Sequence, residues 1–579
     1  METTTFRIRI GMGLAQGLLL YALYRALGEP GWLASRPLLA SPLLLVCALI
    51  PPLAQIGLGA MPRRRLAAWL CALSAAVALM AAHDRWRLIG APLERPWGNS
   101  AYPGDQAVAA CIVFLLIAWP LAQTRESERR WLAPYPAYFD AAWKLVLQLA
   151  YSGLFVGVFW LVLFLGAGLF ELIGIRALQD WIQRSAFAIP ASMLALSLAL
   201  HVTDARPGII RGMRNLLLAL LGWLSPLLVA LCAAFLLALP VVGLEALWQT
   251  RHACSLLLSA AAALVMLLNA VYQDGEARDV SAGARVFARL GCGLLPLLLS
   301  LAVYALGLRV VQYGWSPDRV AAAALATLGW AYALGYAWAA LDRKSWLGGL
   351  AATNVAVAWL SLAMLLALFS PLADPARLSA ASQADRLRTG KTPAERFDFD
   401  FLRFQALRYG QAELTALSQE AALPAQTRRL ASLALAKRMP GEPRPPLAEP
   451  IKTVGGKALP AGFAEQDWKS GTSWRLPSCL TDKTRSCEAF VGNFSGGSEE
   501  VLLREEGQAG VFTLFQRGER GSWAPAAVFR ADASCWQGLS GVRPDGIRAL
   551  PSRLPDLEIN GVRLLPESLL PERKCAPTH

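Results

Sequence analysis

Eleven apolar runs of near twenty residues each occupy the first two-thirds of this chain, and nothing else in it restricts the fold as much. A bilayer core of roughly 30 Å needs about 20 apolar residues per helix, and in lipid a helix satisfies its own backbone hydrogen bonds. The runs lie at 10–27, 38–58, 66–83, 106–122, 145–173, 186–203, 215–239, 253–272, 290–308, 320–341 and 346–371. They predict an all-α polytopic membrane bundle of eleven transmembrane helices over residues 1–371, followed by a water-soluble tail. Composition agrees, with 55% hydrophobic and 17% charged residues, against roughly a quarter charged in soluble proteins.

An odd number of spans places the two ends of the chain on opposite sides of the bilayer. With the N-terminus in the cytoplasm, the bridges on that side hold 17 Lys and Arg and those on the other side hold 10. Positive residues are retained in the cytoplasm, so residues beyond Pro371 are expected outside it. Run 10–27 has no small-residue cleavage site and is soon followed by a second span, so it reads as an uncleaved first helix. The net charge of +14 sits mostly in short bridges between apolar runs rather than on one soluble face, which excludes nucleic acid as a partner.

The tail divides further. Residues 375–438 carry a helical pattern, with Phe397, Phe401 and Phe404 at helical spacing and a second short helix around Leu430 and Leu433. A Pro-rich linker covers 440–450, and strand-like runs follow at 489–491, 501–503, 511–515 and 526–529. Residues 557–565 read as a hairpin turning at Asn560-Gly561, because that dipeptide tolerates positive φ. The expected domains are therefore a transmembrane domain at 1–371, a periplasmic helical segment and linker at 372–449, and a small β-rich module at 450–579. Between the fifth and sixth runs, Ile175, Leu178 and Ile182 share one helical face and Arg176, Gln179, Asp180, Gln183 and Arg184 take the other, the pattern of a short interfacial helix.

Six of the ten cysteines lie singly in apolar helices, where a thiol acts as a small hydrophobe. Cys479, Cys487, Cys535 and Cys575 all fall in the tail. An even set outside the cytoplasm fits two disulfides, Cys479 with Cys487 and Cys535 with Cys575 being favoured among the three connectivities. Four reduced thiols are the alternative.

Three stretches resemble one family, the bacterial multi-pass membrane proteins called domain of unknown function 4153. LFVGVFWLVLFLGAGLFELIGI at 154–175 is similar to its long central helix, and QYGWSPDRVAAAALATLGWAYALGYAWAA at 312–340 to a turn leading into a Tyr-bearing helix. Residues 377–410, with SQADRLRTG and FDFDFLRFQALRYG, resemble its post-membrane stretch. The resemblance implies a bacterial inner membrane and a periplasmic tail. It implies no activity, so it assigns no functional residues. Separately, GNFSGGSEEVLL at 492–503 resembles a decayed calcium loop of integrin-type propeller repeats. Asn493, Ser495 and glycines stand where such loops need several carboxylates, so a tight turn before a strand is the better reading.

Four histidines, His83, His201, His252 and His579, show no ligand spacing with each other or with cysteine, and no phosphate loop, H-E-x-x-H or serine elbow is present. No metal or cofactor is expected. Polar groups at membrane depth are the remaining candidates, since they are costly there and tend to be paired or functional. Glu171 either lines a polar cavity or reaches headgroups and Arg176; Gln148, Asn269 and Asn354 either bond across helices or line a path. Pro190, Pro226 and Pro296 mark kinks, and Gly153 with Gly157 has close-packing spacing. The acids Asp84, Glu94 and Asp105 of one outer loop could serve as catalytic bases, as in membrane glycosyltransferases, but interleaved with Arg85, Arg87 and Arg95 they read rather as a solvated bridge.

The first functional reading is a membrane scaffold or sensor in the lipid bilayer whose periplasmic module binds an envelope protein or ligand. A transporter or channel is the alternative, and an enzyme acting on lipid-linked substrates the third. Enzymatic activity is disfavoured because soluble catalytic signatures are absent.

Overall fold

A computed structural model describes residues 2–28, 31–89, 101–205, 207–243, 252–275, 280–342, 346–437, 450–466, 468, 476–482, 485–495, 499–505, 511–518, 521–530, 547, 557–559 and 562–564. The chain divides into two compact units, Met1–Met439 and Pro440–His579.

The first unit is helical. Its helices are α1 (Glu2–Gly28), α2 (Pro37–Gly57), α3 (Arg63–Trp86), α4 (Asp105–Glu128), α5 (Tyr135–Leu172), α6 (Ala177–Ile182), α7 (Ser185–Ala205) and α8 (Pro207–Val242). They continue as α9 (Ala253–Tyr272), α10 (Ala282–Tyr313), α11 (Pro317–Leu341) and α12 (Gly349–Leu368). Among the described residues eleven helices, all of these except α6, are long and apolar enough to cross a membrane. Although α12 falls short of run 346–371 at both ends, each lies over the apolar run that predicted it. Several run beyond it: α5 begins at Tyr135 because helical hydrogen bonding continues through the amphipathic turn Tyr135–Trp143. Helix α6 is the expected short helix after the fifth span, with Ile182 buried and Trp181 exposed. Helices α7, α8 and α10 run through Pro190, Pro226 and Pro296 without interruption.

Two apolar cores hold the bundle. One joins α2, α3 and α4 around Val77, Met80, Cys111 and Trp119; the other joins α8 to α12 around Leu264, Cys292, Leu295, Tyr336 and Leu350. A close helix approach uses a glycine pair other than Gly153 and Gly157, both of which face open space. Gly13 and Gly17 on α1 lie against Ser197 and Pro190 of α7, so closely that a Cβ on either would overlap its neighbour. Small residues four apart let backbones approach where lipid supplies no hydrophobic drive.

After the last span come α13 (Pro375–Arg388), α14 (Leu407–Gln419) and α15 (Ala425–Ala436), packed around Ala384, Leu402, Leu414 and Ala431. Phe397, Phe401 and Phe404 are not on one regular helix. A 3-10 turn at Ala394–Arg396 and a π-helical turn at Phe401–Gln405 intervene, and Leu407 at φ +55° breaks the run before α14.

The second unit contains a five-stranded sheet, order β1-β2-β3-β4-β5, from Ile451–Val454, Cys487–Gly492, Glu500–Glu505, Val511–Arg517 and Trp523–Arg530. Strand β1 pairs parallel with β2, and the other pairs are antiparallel. Alternation puts Cys487, Ala489, Val501, Leu503 and Phe515 on one face, against Phe463, Trp468 and Trp523. Phe490, Leu502 and Leu514 take the other face. Leu557–Ile559 and Val562–Leu564 pair antiparallel, as the hairpin reading requires; Asn560 and Gly561 themselves, and the 440–449 part of the Pro-rich linker, lie outside the described residues.

Candidate functional site

Two of the four intramembrane polar candidates meet. Asn269 near the end of α9 and Asn354 near the start of α12 close a hydrogen-bond cycle with Tyr336 of α11. Asn354 Nδ2 donates to Asn269 Oδ1 (2.6 Å), Asn269 Nδ2 donates to the Tyr336 hydroxyl (2.7 Å), and that hydroxyl donates to Asn354 Oδ1 (2.6 Å). Asn354 Nδ2 also reaches the hydroxyl of Tyr135, the first residue of α5 (2.9 Å). Four helices are thus joined through uncharged groups, and Tyr336 is fully buried among them. Neither tyrosine is among the residues that the sequence marks as candidates.

Asn269 also forms part of the floor of a cavity of about 1170 Å³ between α9, α10 and α11. Leu258, Val265, Leu299 and Leu325 form its walls, and Tyr332 lies beside Asn269 at the inner end. At the other end stand Ser255, Arg309, Asp318 and Arg319. A long apolar groove with one charged mouth results.

A second assembly closes one end of the bundle. Asp84 is 2% exposed and accepts from Arg85 Nε (3.0 Å), Arg87 Nη2 (2.8 Å) and the Gly104 amide (3.0 Å). His83 Nε2 lies 2.8 Å from Asp374 Oδ2, and Asp374 Oδ1 caps α13 by accepting from the Ala376 amide (2.8 Å). Arg408 of α14 adds its backbone N–H to the Arg87 carbonyl (3.1 Å) and stacks 3.7 Å over Trp86. The solvated-bridge reading of Asp84 is therefore corrected: this acid is buried and fully matched, while Glu94 lies outside the described residues. Sequence reasoning missed the lattice because its partners are 291 residues apart for His83 and Asp374 and 322 for Trp86 and Arg408. At the opposite end, buried Arg9 meets Asp204 (2.7 Å) and the Gln55 carbonyl (3.1 Å), and Lys144 reaches Asp204 (2.9 Å).

The other candidates stand alone. Gln148 is buried and donates to the Leu200 carbonyl (3.2 Å), but its Oε1 has no partner. Glu171 is exposed and pairs with Arg176 at 3.3 Å. Cys479 and Cys487 form a disulfide, whereas Cys535 and Cys575 lie outside the described residues. In the 492–500 loop, buried Glu500 accepts from the amides of Phe494 (2.7 Å) and Ser495 (2.9 Å), from Gln516 Nε2 (2.7 Å) and from the Ser495 hydroxyl. Burial pushes its carboxyl up, but these hydrogen bonds prevail and hold it below the usual carboxylate range. A protein carboxylate thus holds the tight turn together.

Chemically, the Asn-Tyr cycle offers amides and phenols already matched to one another, which suits holding helices in register. Among the described residues no three His, Cys, Asp or Glu side chains converge as a metal site would require.

No curated protein and no solved structure matches the chain. A family model matches residues 17–413, from within α1 to within α14, so the matched region takes in the spans, the Asn-Tyr cycle, the cavity and the His83–Asp374 lattice, and ends before the β unit. On that match the chain belongs to the family described as Domain of unknown function (DUF4153).

Proposed function

We propose that this protein is a membrane scaffold or sensor of a bacterial inner membrane, with its N-terminus in the cytoplasm and residues beyond 371 in the periplasm. The observation that carries this reading is the lattice of His83, Asp84, Arg87, Asp374 and Arg408. It fastens the post-membrane helices to the ends of the spans, so a displacement of those helices is passed to α3 and α12. Buried charges in the bundle are matched at its ends rather than strung along a path, which disfavours ion coupling. The β unit then serves as the part that meets an envelope protein or ligand, and its Cys479–Cys487 bridge suits an oxidising compartment.

A reporter that matures only in the cytoplasm, fused after His579, stays dark under this reading; a bright fusion reverses the orientation. Cys479 and Cys487 in unfolded protein resist alkylation until reduced, unlike the six cysteines of the spans. The channel reading draws support from Asn269 on the cavity floor. A unitary current across a planar bilayer that Asn269→Leu abolishes would establish it at the scaffold's expense.

A further inference from the structure

The groove between α9, α10 and α11 has dimensions and end groups that neither helix packing nor the lattice explains. At 1.5 Å per residue, Arg319 at its mouth and Tyr332 at its floor are about 20 Å apart along α11, more than the roughly 15 Å of one leaflet's hydrocarbon. Its volume, about 1170 Å³, exceeds the roughly 300–1,000 Å³ of sites for small soluble ligands. The walls are mostly leucine, valine and alanine, with Met266, Gly329 and the single hydroxyl of Ser259 among them, so an occupant contributes hydrocarbon along most of its length.

The mouth selects the headgroup. Arg309 and Arg319 bring two positive charges against one negative from Asp318. Helices α9 and α11 both begin there, and their N-terminal dipole ends favour an anion. The C-terminal end of α10, which would repel one, is covered: Arg386 donates to the carbonyls of Val311 (3.0 Å) and Gln312 (2.8 Å), Gln383 to that of Tyr313 (2.9 Å), and Arg319 to that of Gly314 (2.6 Å). Arg319 uses one Nη1 donor in this way, and a guanidinium carries five.

We propose that this groove is a binding site for one membrane phospholipid with a net negative phosphate headgroup. The phosphate sits between Arg309 and Arg319, and one acyl chain descends along α11 towards Tyr332. The inference is independent of the scaffold reading, because a structural lipid suits a scaffold, a sensor or a channel.

Full-length protein, delipidated in mild detergent, is titrated with phosphatidylglycerol or phosphatidylcholine, and bound lipid is counted by native mass spectrometry. The wild type is expected to hold one phosphatidylglycerol in preference to phosphatidylcholine. The double variant Arg309→Gln, Arg319→Gln loses that preference, with affinity for phosphatidylglycerol falling about tenfold or more. Ala322→Trp fills the groove and removes both lipids, while Leu334→Trp, on the exposed face of α11, leaves binding as in the wild type. Equal affinity of the wild type for the two headgroups overturns the phosphate assignment. Undiminished phosphatidylglycerol binding by a folded Ala322→Trp protein overturns the site. Should that variant fail to fold, an unchanged preference in the double arginine variant overturns the proposal by itself.

Discussion

At the Asn269–Asn354 cycle four helices meet through amides and phenols, whereas at the end of the bundle α3, α13 and α14 meet through carboxylates, guanidinium groups and an imidazole. The cycle lies about one to two turns inside the ends of α9, α11 and α12. A charge within a span has a cost to insert, roughly 2.5–3.5 kcal/mol at its centre, and this joint is made of groups that carry none. Near the headgroups the cost falls, and charges in close register give stronger, more selective joints. Glu500 shows a third arrangement, a buried charge met by neutral donors in the β unit.

Removing one partner from the charged joint is expected to have the largest effect. Asp374→Ala strips the carboxylate from His83 and from the cap of α13, and breaking a buried pair this way costs about 3–5 kcal/mol. Reversible unfolding in bicelles measures it, with faster hydrogen exchange in α13 and α14 as the local sign. A loss below that of the neutral joint would reverse the ranking. Asn354→Leu opens the cycle and is expected to cost about 1–2 kcal/mol in the same assay. The β unit should respond to acid. Because Glu500 is held below its ordinary value of 4.5, its contribution is complete above that value and is lost as pH falls through the lowered one. Acid titration of wild type against Glu500→Gln isolates this: the variant's stability is lower at neutral pH and flatter across that window. The smallest effect belongs to Glu171→Gln, under about 0.5 kcal/mol, since an exposed ion pair contributes little.

Legibility in the sequence followed the range of each interaction. Every span was readable because twenty apolar residues declare themselves within their own run. Asn269 and Asn354 were readable as polar residues out of place, but their meeting with each other and with Tyr135 and Tyr336 was not, since four separate helices supply the cycle. Strand β1 escaped notice because Ile451–Val454 is only four residues long, carries Lys452 and Thr453, and pairs with a strand more than thirty residues away. Asp84 was misread for a related reason. Alternating acids and arginines look like a solvated loop until Gly104 and the buried packing of α3 are in place.

Helix α5 has a mechanical consequence. From Leu145 to Leu172 its apolar part is about 42 Å long at 1.5 Å per residue, well over the roughly 30 Å hydrocarbon core. Leu161, Leu165 and Leu169 are 68%, 65% and 60% exposed, so one face of that half meets lipid, while on the other Trp160 donates to Ser192 of α7 (3.0 Å) and Ala167 is buried. Its other end is pinned by Lys144 to Asp204 and by Gln148 to Leu200. A rod longer than its slab tilts, bends or thickens the slab around it, at a cost of fractions of a kcal/mol per Å of mismatch. The length of α5 therefore favours a tilted helix or a locally thick bilayer over a short upright crossing.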